Sequence, residues 1–249
     1  MKSFYITDPG RVREHNEDSV TIVKNKTDEH LMIVADGMGG HRAGEVASSM
    51  VVTHIGTRFS DLSTIGSKLD AVNWLNENIN EINRNIIKYA EEHDDSTGLG
   101  TTVVMALLTK EFLIFCNIGD SSGFVLKDGK LHKITKDHTL VNMLVDSGEL
   151  SKEDALNHPK KNVLMKALGS ADKQELDIFD VDTEVDALLL CSDGLTSMLT
   201  NEQIEKVLLE ENVKVESKLI KLINKCNARG GTDNISIAYL VKEGGAPNW

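Results

Sequence analysis

Long apolar runs, paired cysteines and an excess of cations are all missing from this 249-residue sequence. No stretch reaches the roughly 18 consecutive apolar residues of a membrane-spanning helix, and the opening MKSFYITDPG lacks the apolar core of a signal peptide. Cys116, Cys191 and Cys226 lie far apart with no CxxC pair, which disfavours a zinc–thiolate site. Cys116 and Cys191 sit in apolar strand-like runs and read as small buried residues. An odd set of unclustered thiols fits a reducing compartment, so a cytoplasmic location is expected. Lys and Arg total 27 against 39 Asp and Glu, a formal charge of −12. That balance argues against non-specific binding to nucleic acid or anionic membranes. Any site for an anionic substrate must then be reversed locally by cations or arginine. There is no linker, repeat or low-complexity segment, and 40% hydrophobic residues suffice for a sizeable core. One domain is expected, with no oligomer needed to complete it.

What is present is a repeated pattern. Leu31–Ala35 is a short apolar run, as for a strand buried on both faces, and it ends in Asp36-Gly37. Ala187–Cys191 runs in the same way into Ser192-Asp193-Gly194. Taken singly, an Asp-Gly pair serves equally as a turn or as a site. The repetition favours a site, with the glycines leaving room for ions and substrate. Around this pattern, Ser3–Thr7, Ser19–Lys24 and Leu31–Ala35 read as strands with no crossover helix between them, hence antiparallel. His41–Phe59 has helical spacing. Lys68–Glu92 carries Leu75, Ile79, Ile82, Ile86 and Tyr89 at steps of three and four, one face of a long amphipathic helix.

Thr101–Leu108, Phe112–Ile118, Gly123–Leu126 and Leu131–Ile134 are closely spaced strands, expected to form an antiparallel meander. Residues 137–169 break the strand pattern with two short helices, His138–Val145 and Ser151–Leu156. Such an insertion serves as a recognition flap or as simple packing. Leu176–Val181 and Ala187–Cys191 return to strand. Asn201–Leu209 and Val213–Asn227 are helical, Ile235–Val241 is a last strand, and residues 243–249 read as a mobile polar tail.

Asp36, Asp120, Asp193 and Asp233 all fall at strand–loop junctions, each with a glycine within two residues, and Glu17-Asp18 adds a further acidic cluster. Carboxylates gathered at one sheet edge repel unless a cation sits among them. Oxygen donors suit a hard divalent ion, Mg²⁺ or Mn²⁺, and no histidine pair accompanies them to favour zinc. Two such ions roughly 4 Å apart would lower the pKa of a bridging water and make it a nucleophile. Arg13, four residues before Glu17, offers a planar fork matched to phosphate.

Six segments together carry a family resemblance: TDPGRVREHNED (Thr7–Asp18), ADGMGGHRAGEVA (Ala35–Ala47), Gly100-Thr101-Thr102, Ile118-Gly119-Asp120-Ser121, Ser192-Asp193-Gly194-Leu195 and Gly231-Thr232-Asp233-Asn234. In this order, across nearly the whole chain, they resemble the metal-dependent Ser/Thr protein phosphatases of type 2C, in their bacterial single-domain branch. The resemblance implies an α+β fold, an α/β/β/α sandwich of two antiparallel sheets flanked by helices with a helical flap. Residues 1–242 would form the catalytic domain, with the flap at about 137–169. Asp36 would bridge two ions and the carbonyl of Gly37 would bind one of them. Asp193 and Asp233 would hold the other, and Asp120 with Asp193 a weaker third. Glu17 and Asp18 would orient waters at the ions, Arg13 would hold the phosphate, and Asn234 would brace Asp233. The implied reaction is one-step hydrolysis by the bridging hydroxide, without a phosphoenzyme. The implied partners are phosphoprotein substrates and a cognate Ser/Thr kinase.

Two positions depart from the family pattern. Eukaryotic members have His after the Asp-Gly pair, where this chain has Met38, so the proton for the leaving group falls to a water at the ions or to His41. His41 also reads as an ordinary helix-start histidine. Ser122 stands where the family usually has Arg, a change expected to act near the third-ion site. An interaction module that kept the fold and not the chemistry would show losses among Asp36, Asp193 and Asp233, and none occurs. A phosphatase dedicated to one small phosphomonoester or one regulatory phosphoprotein stays open, because recognition would lie in the flap.

Overall fold

The computed structural model describes residues 1–39, 43–93, 96, 98–156 and 158–242. In chain order it contains β1 (Lys2–Asp8), β2 (Asp18–Lys24), β3 (His30–Met38), α1 (Ala43–Asp61), α2 (Lys68–Glu92), β4 (Gly100–Thr101), β5 (Val103–Leu108), β6 (Leu113–Ile118), β7 (Ser122–Lys127), β8 (Lys130–Lys133), α3 (Leu140–Asp146), α4 (Lys152–Leu156), β9 (Asp177–Val181), β10 (Ala187–Cys191), α5 (Asp193–Thr196), α6 (Asn201–Leu208), α7 (Val215–Ala228) and β11 (Ile235–Val241). One sheet has the order β1-β11-β10-β7-β8, the other β2-β3-β5-β6-β9 with β4 beside β3, and every pairing is antiparallel.

The continuous apolar runs follow from this layering. Along β3, Leu31, Ile33 and Ala35 face the core under α1 and α2, while Met32 and Val34 face the core between the sheets. Along β10, Leu189 and Cys191 face the helices α5–α7, while Leu188 and Leu190 face the inter-sheet core. A strand with a core on both sides cannot alternate with polar residues. The result is the expected α/β/β/α sandwich. The amphipathic stripe of α2 is buried as expected at Leu75, Ile79, Ile82 and Ile86, and a capping box at Ser67 and Asp70 opens the helix.

The meander does not form as a single sheet. β5 and β6 pair in one sheet, whereas β7 and β8 pair in the other. The chain changes sheets at Gly119-Asp120-Ser121. Gly119 has φ +106°, and a Cβ there would lie 2.5 Å from the Thr102 side chain. A sheet change and a hairpin use the same turn residues, so the two are indistinguishable by composition. The segment with α3 and α4 leaves the sandwich through a narrow neck. The neck is held by a Thr139–Leu164 bridge and by Met165 N–H donating to the His138 carbonyl at 2.8 Å. His138 also ties the neck to the crossover: its Nδ1 accepts the Gly119 N–H at 3.0 Å, and its Nε2 lies 3.0 Å from Asp177 Oδ2.

Candidate active site

The β2–β3 hairpin places Asp18 directly opposite Asp36. Asp36 continues toward a polar cavity of about 290 Å³, whose wall also includes Arg13, Glu17, Gly37, Asp120, Asp193 and Asp233. Strand β3 is held at this point from both sides. Asp36 N–H donates to Thr102 Oγ1 at 3.1 Å, Thr102 N–H donates to the Asp36 carbonyl at 2.9 Å, and Gly37 N–H donates to the Glu17 carbonyl at 3.1 Å. From the other sheet, β10 delivers Asp193 as the first residue of α5, and the turn before β11 delivers Asp233. Asp120 comes from the crossover between sheets. Five carboxylates thus line one cavity, with Arg13 the one cation among its described lining residues.

The glycines have a role other than the expected one. A Cβ on Gly37 would sit 2.1 Å from the Gly44 carbonyl oxygen of α1, and one on Gly194 would sit 1.9 Å from the Asn234 carbonyl oxygen. Neither φ is left-handed. The Asp-Gly pairs mark places where a second backbone crosses the strand end, and only glycine admits it.

Asp18 is absent from the cavity wall. It is buried across the strand pair from Asp36, where Ser192 Oγ donates to its Oδ2 at 2.7 Å, while its Oδ1 has no partner among the described residues. Glu17 is half-buried; its Oε1 has no close partner among the described residues, although the Gly44 backbone N–H acts on the carboxylate and burial raises its proton affinity. Arg13 is half-exposed and donates to Asp233 Oδ2 at 2.8 Å. Asn234 braces Asp233 only through its backbone, whose N–H donates to Asp233 Oδ1 at 2.9 Å. Its side chain instead gathers the loop that carries Arg13. It donates to the Pro9 and His15 carbonyls, each at 2.9 Å, and accepts the Glu17 N–H at 2.8 Å. Ser122 is buried at the start of β7 and does not line this cavity, although its Oγ lies 3.5 Å from the Asp120 carbonyl oxygen. His41 lies outside the described residues. Asn162 and Leu164 from the flap also line the cavity, and neither carries a motif that marked it in advance.

Burial and crowding raise the affinity of these acids for protons. Burial, followed by the charge of Asp193, pushes Asp120 up to about 7. Burial pushes Asp18 up to about 7 despite the Ser192 hydroxyl bond, and burial with the Asp233 charge pushes Asp193 up to about 6. Asp36 is driven well above the usual carboxylate range by burial and then by Asp18, Asp193, Asp120 and Asp233 together. Such a cluster is a strong anionic field with unsatisfied oxygens, a fit for divalent cations. The wall offers no thiol or imidazole among its described residues, which suits Mg²⁺ or Mn²⁺. No three of the described acidic, histidine or cysteine side chains already converge on one point.

The family model for Protein phosphatase 2C matches residues 11–236. The serine/threonine phosphatase stp of Listeria welshimeri is 43% identical over 243 residues, covering 97% of this chain and 96% of that protein. The structure of the S. agalactiae serine/threonine phosphatase superposes with a TM-score of 0.91 at 37% identity, covering 97% of this chain and 99% of that one. The catalytic domain of the serine/threonine protein phosphatase PstP in complex with two manganese ions gives a TM-score of 0.81 at 33% identity, over 97% of this chain and 98% of that one. A likeness in sequence and fold that spans the motif-bearing residues from end to end means that the chain belongs to the protein phosphatase 2C family.

Proposed function

We propose that this protein hydrolyses the phosphate esters of phosphoserine and phosphothreonine in proteins, using two divalent ions, Mn²⁺ or Mg²⁺. The observation that carries the proposal is the single cavity lined by five carboxylates and edged by one arginine. Asp36 and the Gly37 carbonyl on one sheet, with Asp193 and Asp233 on the other, are the groups proposed to hold the ions. Asp120 with Asp193 would hold a weaker third. Bound there, the ions would supply a water of lowered pKa and neutralise charge on the phosphoryl group.

The remaining roles belong to the chain itself. Arg13 presents a guanidinium with five N–H donors, of which Asp233 takes one at Nη2, leaving others for phosphate oxygens. Glu17, on the cavity wall, and Asp18, across the strand pair from Asp36, are proposed to orient water at the ions as outer acceptors. Met38 lines the cavity but has no proton to give, so His41 is the side chain proposed to protonate the leaving alkoxide. A larger groove opening from the cavity favours polypeptide substrates over a small phosphomonoester. By the same reading the enzyme works as a monomer in the cytoplasm and opposes a Ser/Thr kinase. No helix among the described residues is long and apolar enough to cross a membrane.

The test is turnover of a phosphothreonine peptide with Mn²⁺, with chelator, and by Asp193→Ala with Mn²⁺. Turnover is expected only in the first. Activity that persists in chelator and in the variant would overturn the two-ion reading.

A further inference from the structure

The carboxylate cavity opens sideways into a groove of about 800 Å³, and the two share Asp120, Asn162 and Asp193. One wall of the groove is the flap, through Val141 and Val145 of α3, Lys152 of α4, and Lys161. Thr196 at the end of α5 and Met198 just after it also line the groove. The charge of this groove departs from that of the molecule. The chain carries −12 overall, yet Lys133, Lys136, Lys152 and Lys161 all line the groove. Beyond the shared Asp120 and Asp193, its acids are Asp137 and Asp146. Both are already engaged, Asp137 with Lys133 at 2.7 Å and Asp146 with Lys136. Lys152 and Lys161 are exposed and have no acidic partner among the described residues.

We propose that this groove binds the polypeptide flanking the phosphorylated residue and selects acidic side chains there, through Lys152 and Lys161. The proposal rests on the phosphatase reading above. A phosphoresidue whose phosphate enters the small cavity must carry its neighbours along an adjoining surface, and this groove adjoins it. Its apolar patches, Val141, Val145 and Met198, give the peptide backbone and aliphatic stems something to cover. Lysine suits a permissive selection. Its ammonium is a point charge on a flexible stem, which reads sign without demanding one geometry. Exposed pairs are individually weak and salt-screened, so two of them give a preference of roughly fivefold to tenfold.

The experiment uses the Mn²⁺-loaded protein and three substrates: p-nitrophenyl phosphate, a phosphothreonine peptide flanked by glutamates, and the same peptide flanked by glutamines. The enzymes are the parent, Lys152→Gln/Lys161→Gln and Lys152→Glu/Lys161→Glu. The parent should prefer the glutamate peptide by roughly fivefold to tenfold in kcat/KM, mainly through KM, and lose that preference at high salt. The glutamine variant should treat the two peptides alike, and the glutamate variant should disfavour the acidic one. Turnover of p-nitrophenyl phosphate should be the same in all three enzymes, which also shows that the variants fold. A parent without the preference, or a preference that survives both variants, overturns the inference. So does a fall in p-nitrophenyl phosphate turnover in step with the peptides, because the lysines would then only offset the field of the carboxylate cavity. A parent that turns over none of the substrates overturns the phosphatase reading instead.

Discussion

Asp18 and Asp36 are cross-strand partners, an arrangement that weakens a sheet when both are charged. On the proposed roles their presence sets activity against stability, and Asp36→Asn separates the two. Peptide turnover should be lost with Mn²⁺ present. In chelator the same variant should melt about 2–6 °C higher, because asparagine avoids the cost of protonating or burying a crowded carboxylate. A variant that melts lower in chelator would show that Asp36 is held by bonds other than those to ions.

The pH dependence follows from the same crowding. In the metal-free protein Asp18 and Asp120 hold protons up to about 7 and Asp193 up to about 6, against an ordinary value of 3.8. The folded state therefore binds more protons than the unfolded chain between about pH 4 and 7, and stability must fall as pH rises through that window. Calorimetry in chelator should show a lower melting temperature at pH 8 than at pH 5, and saturating Mn²⁺ should abolish the fall. A rise with pH in chelator would contradict the crowded-carboxylate account. His41 has its own test. A general acid contributes about 10²–10⁴ in rate, so His41→Ala should lose that much kcat on a phosphothreonine peptide. On p-nitrophenyl phosphate, whose leaving group needs no proton, it should lose little. A loss below tenfold on the peptide assigns the proton to another donor.

At the scale of elements, the strand ends matter more than the loops they feed. β10 can deliver Asp193 only because Gly194 lets the Asn234 backbone pass where a Cβ would be 1.9 Å from its carbonyl. Gly194→Ala should destabilise the protein by about 3 kcal/mol, read as a lower urea midpoint with an unchanged slope. A change within 0.5 kcal/mol would mean that the backbone crossing can shift. These strand ends were also the most legible part of the sequence. The Asp-Gly repeat marks both, the stripe of α2 marks its buried face, and the two-sided apolar runs mark strands between two cores. Less was legible where the physics is degenerate or non-local. The turn at Gly119 carries hairpin chemistry but changes sheets. The bond from Ser192 to Asp18 and that from Arg13 to Asp233 join residues far apart in the chain, with no local pattern to announce them. Asn234 braces its neighbour through its backbone, while its side chain organises a loop more than 200 residues earlier.

For the whole molecule, the cavity lies on the seam between the sheets, and residues from each sheet face it. Ions bound there would hold the sheets together at that edge and bind the folded state alone. At 100 times the dissociation constant, one such ion adds about 2.7 kcal/mol, or roughly 5–10 °C in melting temperature for a chain of this size. Titration of Mn²⁺ into the chelated and dialysed protein should reproduce that rise. Asp36→Asn should blunt it, and an unchanged rise would place the ions elsewhere.

The order of the first sheet has a consequence for how the protein comes into being. β11, the last strand, lies between β1, the first, and β10, so the sheet is completed from both ends of the described chain. Asp233 sits just before β11. During synthesis, Asp36 is in place while about 200 residues, including its eventual neighbours, have yet to be made. At the usual pace of translation that interval is roughly 10–40 s. Until its end, β1 lacks the strand that pairs with it and Arg13 lacks its partner Asp233, while Asp193 joins the hairpin carboxylates about 40 residues earlier. If Asp233 holds an ion as proposed, catalytic competence arrives abruptly and late, with the final strand.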